Sequence, residues 1–271
     1  MILSGLDLAK RVPVGQHRRH YHGAEKRPNL VVWNNQDSWS CWCHACNEGG
    51  KVTKEVLQPV TEAAPVFQKY LSLSDTCTLQ ELAQEHPQSF KRLVLLLHRK
   101  GVSTTLLAPY NPLYSLVDDR LVLAFNGRYV GRDVTERHHA KWLVYHNNQH
   151  VPMDFVYFPT ENKGQNSEPI VLTEDVLSAI KVHAYTGLST LWCMGTHVSD
   201  AIVTFLITPS TPPKHPVLAF DGDDAGRKAT RTAQKRLGLR GKEFSTVTIP
   251  EGLDPKDLDY LQLHNLFKDV L

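Results

Sequence analysis

The chain has 271 residues, with 30 Lys+Arg against 28 Asp+Glu and 41% apolar residues. That apolar share and a net charge of +2 exclude a disordered polyelectrolyte, and the length suits one large or two modest domains. The longest apolar runs, such as Leu93-Val94-Leu95-Leu96-Leu97, fall far short of the roughly 20 residues that cross a bilayer, and residues 1–15 carry no secretory signal, so the expected compartment is the cytoplasm.

The first segment is rich in histidine, cysteine and tryptophan. Three of the five cysteines crowd into Cys41-Trp42-Cys43-His44-Ala45-Cys46, which reads as a metal cluster rather than a disulfide framework. The two-residue gap between Cys43 and Cys46 lets both thiolates bind one tetrahedral Zn²⁺, with Gly49-Gly50 as the turn that follows. Two further ligands must come from upstream. His20 and His22 are the choice, because residues two apart on an extended chain point the same way; His17 with His20, and Cys41, are the alternatives. Trp39 and Trp42 suit either the small core of such a module or a platform for unpaired bases.

A joint is expected near residue 60, around Gln58-Pro59 and Ala64-Pro65. From 66 to 107, apolar residues including Phe67, Tyr70, Leu82, Phe90, Leu93 and Leu97 recur at helical spacing. From Arg120 the pattern turns to short β-like runs, Leu121-Val122-Leu123-Ala124-Phe125 and Tyr129-Val130, joined at the hairpin signal Asn126-Gly127. The polar stretch 160–167 marks a second joint.

Strand and helix then alternate. Strands are expected at 169–173, 190–193, 217–220 and 244–249, and helices at 175–186, 199–207 and 224–237. That order predicts a mostly parallel, three-layer α/β unit with its sites at the carboxyl ends of the strands. Glu174 stands there after the first strand, and Asp221-Gly222-Asp223-Asp224-Ala225-Gly226 after the third. A lone Asp-x-Asp is often only a helix cap. Gathered with Glu174, the acids would raise one another's pKa unless a cation neutralised them, and Mg²⁺ takes such carboxylates while completing its shell with water and phosphate oxygens. Arg227, Lys228, Arg231, Lys235, Arg236, Arg240 and Lys242 follow with no acid among them, which suits either a solvated helix face or a surface for a polyanion.

The segments Ile170-Val171-Leu172-Thr173-Glu174, Met194-Gly195-Thr196 and Leu218-Ala219-Phe220-Asp221-Gly222-Asp223-Asp224-Ala225-Gly226-Arg227 together resemble the TOPRIM fold shared by primases, topoisomerases and some nucleases. The family pattern after the first strand is Glu-Gly-x-x-Asp; here it reads Glu174-Asp175-Val176-Leu177-Ser178, without the glycine and the second acid. The resemblance implies acid/base or metal work for Glu174 and a divalent metal, Mg²⁺ or Mn²⁺, on Glu174, Asp221 and Asp223. Asp224, Asp254 and Asp257 are supporting candidates. The run from Tyr21-His22-Gly23 to Cys43-His44-Ala45-Cys46-Asn47-Glu48-Gly49-Gly50 resembles the zinc ribbon of bacterial and bacteriophage primases, although that ribbon usually opens with a Cys-x-x-His or Cys-x-x-Cys pair. The middle segments, around Arg120, Val130-Gly131-Arg132-Asp133 and Lys141-Trp142-Leu143, resemble the basic primase subdomain that holds template and nucleotide phosphates.

These resemblances imply an α/β chain in three parts: a zinc-binding ribbon at 1–60, a mixed basic subdomain at 61–160 and a TOPRIM catalytic domain at 161–271. Arg120, Arg132, Lys141 and Arg227 are the expected template and nucleotide contacts. The implied function is that of a stand-alone, bacteriophage-type DNA primase in the host cytoplasm, making short RNA primers from ribonucleoside triphosphates on single-stranded DNA. No Gly-rich Lys-Ser/Thr phosphate loop occurs, so the replicative helicase is expected to be a separate partner. The rival readings are a TOPRIM nuclease and, because Ser178 replaces an acid, a non-catalytic zinc-dependent DNA-binding protein.

Overall fold

The computed structural model describes residues 5–23, 27–54, 70–125, 127–137, 140–145, 153–160 and 167–270. The chain divides into two compact units, residues 1–68 and 69–271. The joint expected near residue 60 lies in 55–69, outside the described residues, as does most of the one expected at 160–167.

In the first unit, α1 (Gly5–Lys10) packs on an antiparallel sheet of β1 (Gln16–His20), β2 (Leu30–Asn34), β3 (Ser38–Cys43) and β4 (Glu48–Thr53), in sequence order. The register sets Leu30 opposite Cys43 and Val32 opposite Cys41, so strand alternation turns these side chains to one face. With Ala9 and Val12 they make a small core against which Leu8 and Trp39 pack. Gly49 is required by β3: a Cβ there would stand 2.3 Å from the Cys41 carbonyl oxygen. Asn34 ends the buried face and is fully engaged, donating to the Val12 carbonyl (2.5 Å) and accepting from Lys54 Nζ (2.6 Å).

The second unit opens with β5 (Thr76–Thr78), then α2 (Leu79–Glu85), α3 (Pro87–Arg99) and α4 (Thr104–Leu107). Thr78 and Glu81 form a reciprocal capping box that starts α2. The strand β5 departs from the helical reading of this region, because three residues are too few to show a period of two. Strands β6 (Leu113–Ser115), β7 (Arg120–Phe125), β8 (Arg128–Asp133) and β9 (Trp142–Val144) complete an antiparallel sheet in the order β5-β6-β7-β8-β9. Phe125 pairs with Arg128, which leaves a two-residue turn; Gly127 takes φ +74° there, and Asn126 lies outside the described residues.

A second sheet follows, built from β10 (Val156–Phe158), β11 (Glu168–Thr173), β12 (Ser189–Trp192), β13 (Lys214–Leu218) and β14 (Ser245–Thr246), with α5 (Val176–Thr186), α6 (Asp200–Ile207), α7 (Asp224–Gly238) and α8 (Tyr260–Phe267) around it. Its order is β10-β12-β11-β13-β14, parallel except for β10. Neighbouring residues of β11 face opposite layers. Ile170 and Leu172 pack with Ile202 and Leu206 of α6 and Ala229, Ala233 and Leu237 of α7. Val171 packs with Val182 of α5 and Leu263 and Phe267 of α8. Strand β14 is shorter than the expected 244–249: Val247 N still donates to the Leu218 carbonyl (2.9 Å), and the chain then turns off towards Pro250. The two sheets share a core in which Leu121, Leu123 and Phe158 meet Val176, Ile180 and Trp192. Among the described residues no helix is long and apolar enough to cross a membrane.

Candidate active site and candidate metal centre

Glu174 is the first residue past β11. Its carbonyl accepts from Trp192 Nε1 (2.9 Å) and Gly195 N (3.0 Å), which fixes the backbone at the strand end. Its carboxylate Oε1 accepts from the backbone N–H of Asp221 (3.3 Å), so Glu174 and the Asp-Gly-Asp-Asp loop meet at the carboxyl edge of the sheet. The loop depends on close backbone packing. A Cβ on Gly222 would lie 2.0 Å from the Pro250 carbonyl oxygen, and one on Gly226 2.0 Å from that of Asp221. Asp223 caps α7, accepting from Gly226 N (2.7 Å). The reading of Asp-x-Asp as a helix cap thus holds for Asp223.

Burial sets the electrostatics of these acids. It pushes Glu174 up to about 7, with Asp223 and Asp254 adding to the rise, and Asp221 up to about 8, with Glu174 and Asp254 adding. Asp221 Oδ1 is buried with no hydrogen-bond partner among the described residues. An orphaned oxygen beside other carboxylates fits a hard divalent cation such as Mg²⁺ or Mn²⁺, which Asp221 would hold with the help of its neighbours Glu174 and Asp254.

One protein cation opposes this charge. Lys256 pairs with Asp254 and acts on both Glu174 and Asp221; burial works against its ammonium, but Asp175, Asp254 and Asp221 hold its pKa above the ordinary value. Its own backbone is pinned from behind by a second lysine, since Lys181 Nζ donates to the Lys256 carbonyl (2.7 Å) and to that of Gly101 (2.6 Å). Both lysines are only 5% exposed. Neither belongs to the expected site. A signal for Lys181 existed, however: α5 is apolar on nearly every side, which marks a buried helix. Asp257 caps the local backbone turn by accepting from Asp254 N (2.8 Å), and Asp224 is exposed and paired with Arg227 (2.7 Å).

The four expected phosphate contacts occupy different settings. Arg120 is buried, and its guanidinium donates to the carbonyls of Gly131 (3.0 Å), Ala140 (2.9 Å) and Lys141 (3.4 Å), binding β7 to β8 and the segment before β9. Arg132 is also buried, but its Nε has no partner among the described residues. It lies 5.7 Å from the centre of the Trp142 ring, and Trp142 Nε1 donates to Asp175 Oδ2 (3.2 Å), next in sequence to Glu174. Lys141 is exposed. Arg227 is exposed, donating to Asp224 and reaching Glu251 at 4.0 Å.

In the first unit the ligand atoms of His22, Cys43 and Cys46 all lie within 4.8 Å of one another, with Cys46 Sγ 3.6 Å from His22 Nδ1. The Cys43 thiol is drawn below its ordinary pKa, chiefly by the backbone N–H of Cys46, and the Cys46 thiol is raised by the Cys43 side chain beside it. Two sulfurs and an imidazole suit Zn²⁺. His20 is not in this cluster. It is the last residue of β1, held opposite Leu30, with Nε2 buried and unpartnered; the strand ends there, so the two-residue alternation does not carry through to His22. Cys41 belongs to the α1 face, where a Cβ on Gly5 would stand 2.7 Å from its sulfur. His17 pairs with Trp33 on β2. Trp39 packs on the small core beneath Lys54.

With this geometry in view, residues 173–259 match the Toprim-like family. This segment is a Toprim-like domain. The curated relatives of the chain include the DNA primase of Staphylococcus epidermidis, 34% identical over 94 residues, and that of Staphylococcus aureus, 31% identical over 90 residues. The matched stretch is about a third of this chain, but only 15% and 14% of the length of those two relatives. Among solved structures, the Aquifex aeolicus primase, comprising zinc-binding and RNA polymerase domains, superposes over 99% of this chain and 86% of its own with a TM-score of 0.53 at 15% identity. The RNA polymerase domain of Mycobacterium tuberculosis primase covers 70% of this chain and 78% of its own, with a TM-score of 0.54 at 13% identity. The mixed α/β fold is thus that of primase zinc-binding and RNA polymerase domains.

Proposed function

We propose that the chain is a DNA primase that joins ribonucleotides into short primers on a single-stranded DNA template by divalent-metal-dependent nucleotidyl transfer. The observation that carries this reading is the contact of Glu174 with the Asp221 backbone at the carboxyl edge of a Toprim-like sheet, with Asp221 Oδ1 buried and unsatisfied and Asp254 acting on both acids. Glu174, Asp221 and Asp223 are the proposed catalytic residues, and Mg²⁺ or Mn²⁺ held among them, with Asp254 as a further carboxylate beside Glu174 and Asp221, would stabilise the charge that develops on a transferring phosphoryl group. Glu174, pushed up to about 7 by burial, can hold or release a proton near neutral pH. Lys256 keeps the carboxylates together when the metal is away. Arg132 and Lys141 are the proposed phosphate contacts, a reading supported by the unpartnered Arg132 Nε and the exposure of Lys141. Arg120 supports that neighbourhood by fixing the backbone around Gly131 and Ala140. His22, Cys43 and Cys46 would hold a structural Zn²⁺ in a template-reading module. The reading extends to a stand-alone, bacteriophage-type enzyme of the host cytoplasm that works beside a separate replicative helicase.

The test is incorporation of labelled ribonucleotides on single-stranded DNA carrying every template trinucleotide, with Mg²⁺ or Mn²⁺. Template-dependent oligomers that vanish with Asp221→Asn support the reading. Shortening of the template instead would make the protein a nuclease, and neither outcome would leave a binding protein.

A further inference from the structure

The acidic cluster contains a cation supplied by the chain itself. Lys256 is buried, its ammonium pairs directly with Asp254, and its charge also reaches Glu174 and Asp221. We propose that Lys256 is a positioning residue that fills the place of a second divalent ion, so that the site takes one Mg²⁺ or Mn²⁺ and no more. The inference rests on the metal-dependent reading of these acids and goes beyond it by setting the number of ions.

The ammonium is fixed from three directions. Behind it, the Lys256 carbonyl accepts from Lys181 Nζ (2.7 Å), which also donates to the Gly101 carbonyl (2.6 Å). Gly101, at φ +61°, approaches the same carbonyl so closely that a Cβ would stand 2.5 Å from its oxygen. Along the chain, Lys256 lies in the short turn Pro255–Asp257, which Asp257 closes by accepting from Asp254 N (2.8 Å); Asp254 and Lys256 therefore leave one rigid turn. In front, Asp175, Asp254 and Asp221 hold its charge against burial. Asp175 is engaged elsewhere, capping α5 at Leu177 N (2.8 Å) and accepting from Trp142 (3.2 Å). Asp254 and Asp221 are thus the acids that the ammonium serves.

Charge then sets the count. When ionised, Glu174, Asp221 and Asp254 carry three negative charges, which one divalent ion and one ammonium balance. A second divalent ion would have to stand beside a fixed like charge in a site screened from water, where repulsion is far stronger than at the surface. Asp254 Oδ2 is already on Lys256, which leaves only its other oxygen for an ion beside Asp221. An arrangement with two metals about 3.5–4 Å apart would need both.

The experiment counts ions on the full chain at pH 8. Free Mn²⁺ is followed by electron paramagnetic resonance during a titration, and the ions whose binding is lost in Asp221→Asn are assigned to the site. The parent chain should hold one. Lys256→Gln should bind it at least about tenfold more tightly, the usual effect of removing one like charge nearby, or should take a second ion; Lys256→Arg should match the parent. Thermal melting separates this role from simple support of the turn. In EDTA, Lys256→Gln should melt below the parent, and saturating Mn²⁺ should raise its midpoint by more than it raises the parent's. Two ions on the parent chain, or a Lys256→Gln variant with the parent's count, affinity and Mn²⁺-induced shift, overturns the proposal and leaves the metal-dependent reading standing. A parent chain that binds no Mn²⁺ overturns both. The count on the parent needs no change at Lys256, so it decides the matter even where Lys256→Gln fails to fold.

Discussion

The two candidate metal sites have opposite relations to the folds that carry them. In the first unit, His22, Cys43 and Cys46 join a loop to a four-stranded sheet whose core cluster, among the described residues, is Ala9, Val12, Leu30, Val32 and Cys43. In the Toprim-like domain, two extensive apolar layers on either side of the sheet bring together carboxylates that repel one another. There the fold holds the ligands. In the first unit the ligands must help to hold the fold, because a core this small supplies only ~3–5 kcal/mol.

The strongest way to break this comparison is to remove the sulfur ligands. Chelation of zinc, or Cys43→Ser with Cys46→Ser, should unfold residues 1–68 while residues 69–271 keep their own calorimetric transition. Template-directed initiation should be lost and extension of a supplied primer should persist in part. Metal analysis that finds no zinc, or a double variant with its first unit intact, would end the contrast.

Next in size is Asp221→Asn. It should lower primer synthesis at least roughly 100-fold, the scale of losing one charge-stabilising group from such a site. It should also change the pH dependence of stability. Glu174 and Asp221 titrate near 7 and 8 in the folded chain and near 4 when unfolded, so the folded form keeps protons that the unfolded form releases. Without metal, stability therefore falls as pH rises from about 4 to about 8. Mg²⁺ should raise the thermal midpoint more at pH 8 than at pH 5.5, and Asp221→Asn should flatten the fall. An equal metal effect at both pH values would show that the acids are not the binding group.

A smaller effect sharpens the part played by the protein's own cation. Lys181→Met keeps the length of the side chain but leaves the Gly101 and Lys256 carbonyls without their donor, and should cost about 2–4 kcal/mol on chemical denaturation. If the turn at Pro255–Asp257 loosens with it, Mn²⁺ affinity measured by electron paramagnetic resonance should fall too, and Lys181→Arg should restore part of it. A stability loss with unchanged Mn²⁺ affinity would confine Lys181 to packing.

How much of this was legible in the sequence depended on whether a residue's role was local. Glu174 and Asp221 follow strands whose ends the apolar pattern fixes to within a few residues, and the close glycines at 222 and 226 mark the loop. Arg120 and Arg132 look alike in sequence, yet one guanidinium is engaged by three backbone carbonyls and the other has an unpartnered Nε; that difference is set by where β9 returns, which no local pattern records. Lys181 and Lys256 act across 75 positions. The pairing of His20 with His22 assumed that β1 runs on, and the strand stops at the first of them.

The smallest expected effect concerns charge that no fold holds in place. On α7, Gly226, Ala229, Ala233 and Leu237 face the core, which turns Lys228, Arg231 and Lys235 to solvent along one stripe. Arg227 is committed to Asp224, and Arg236 is paired with Asp200; for Lys228, Arg231 and Lys235 no acidic partner stands among the described residues. Changing these three to Gln should leave stability within about 0.5 kcal/mol, since exposed charges away from buried networks contribute little. If the stripe meets DNA only as part of a diffuse positive surface, the salt slope of binding should fall by less than about 0.7, the value of a single phosphate contact. A drop of about 2 units would instead make α7 a phosphate track, and would place the template along the face of the Toprim-like domain that carries Asp223.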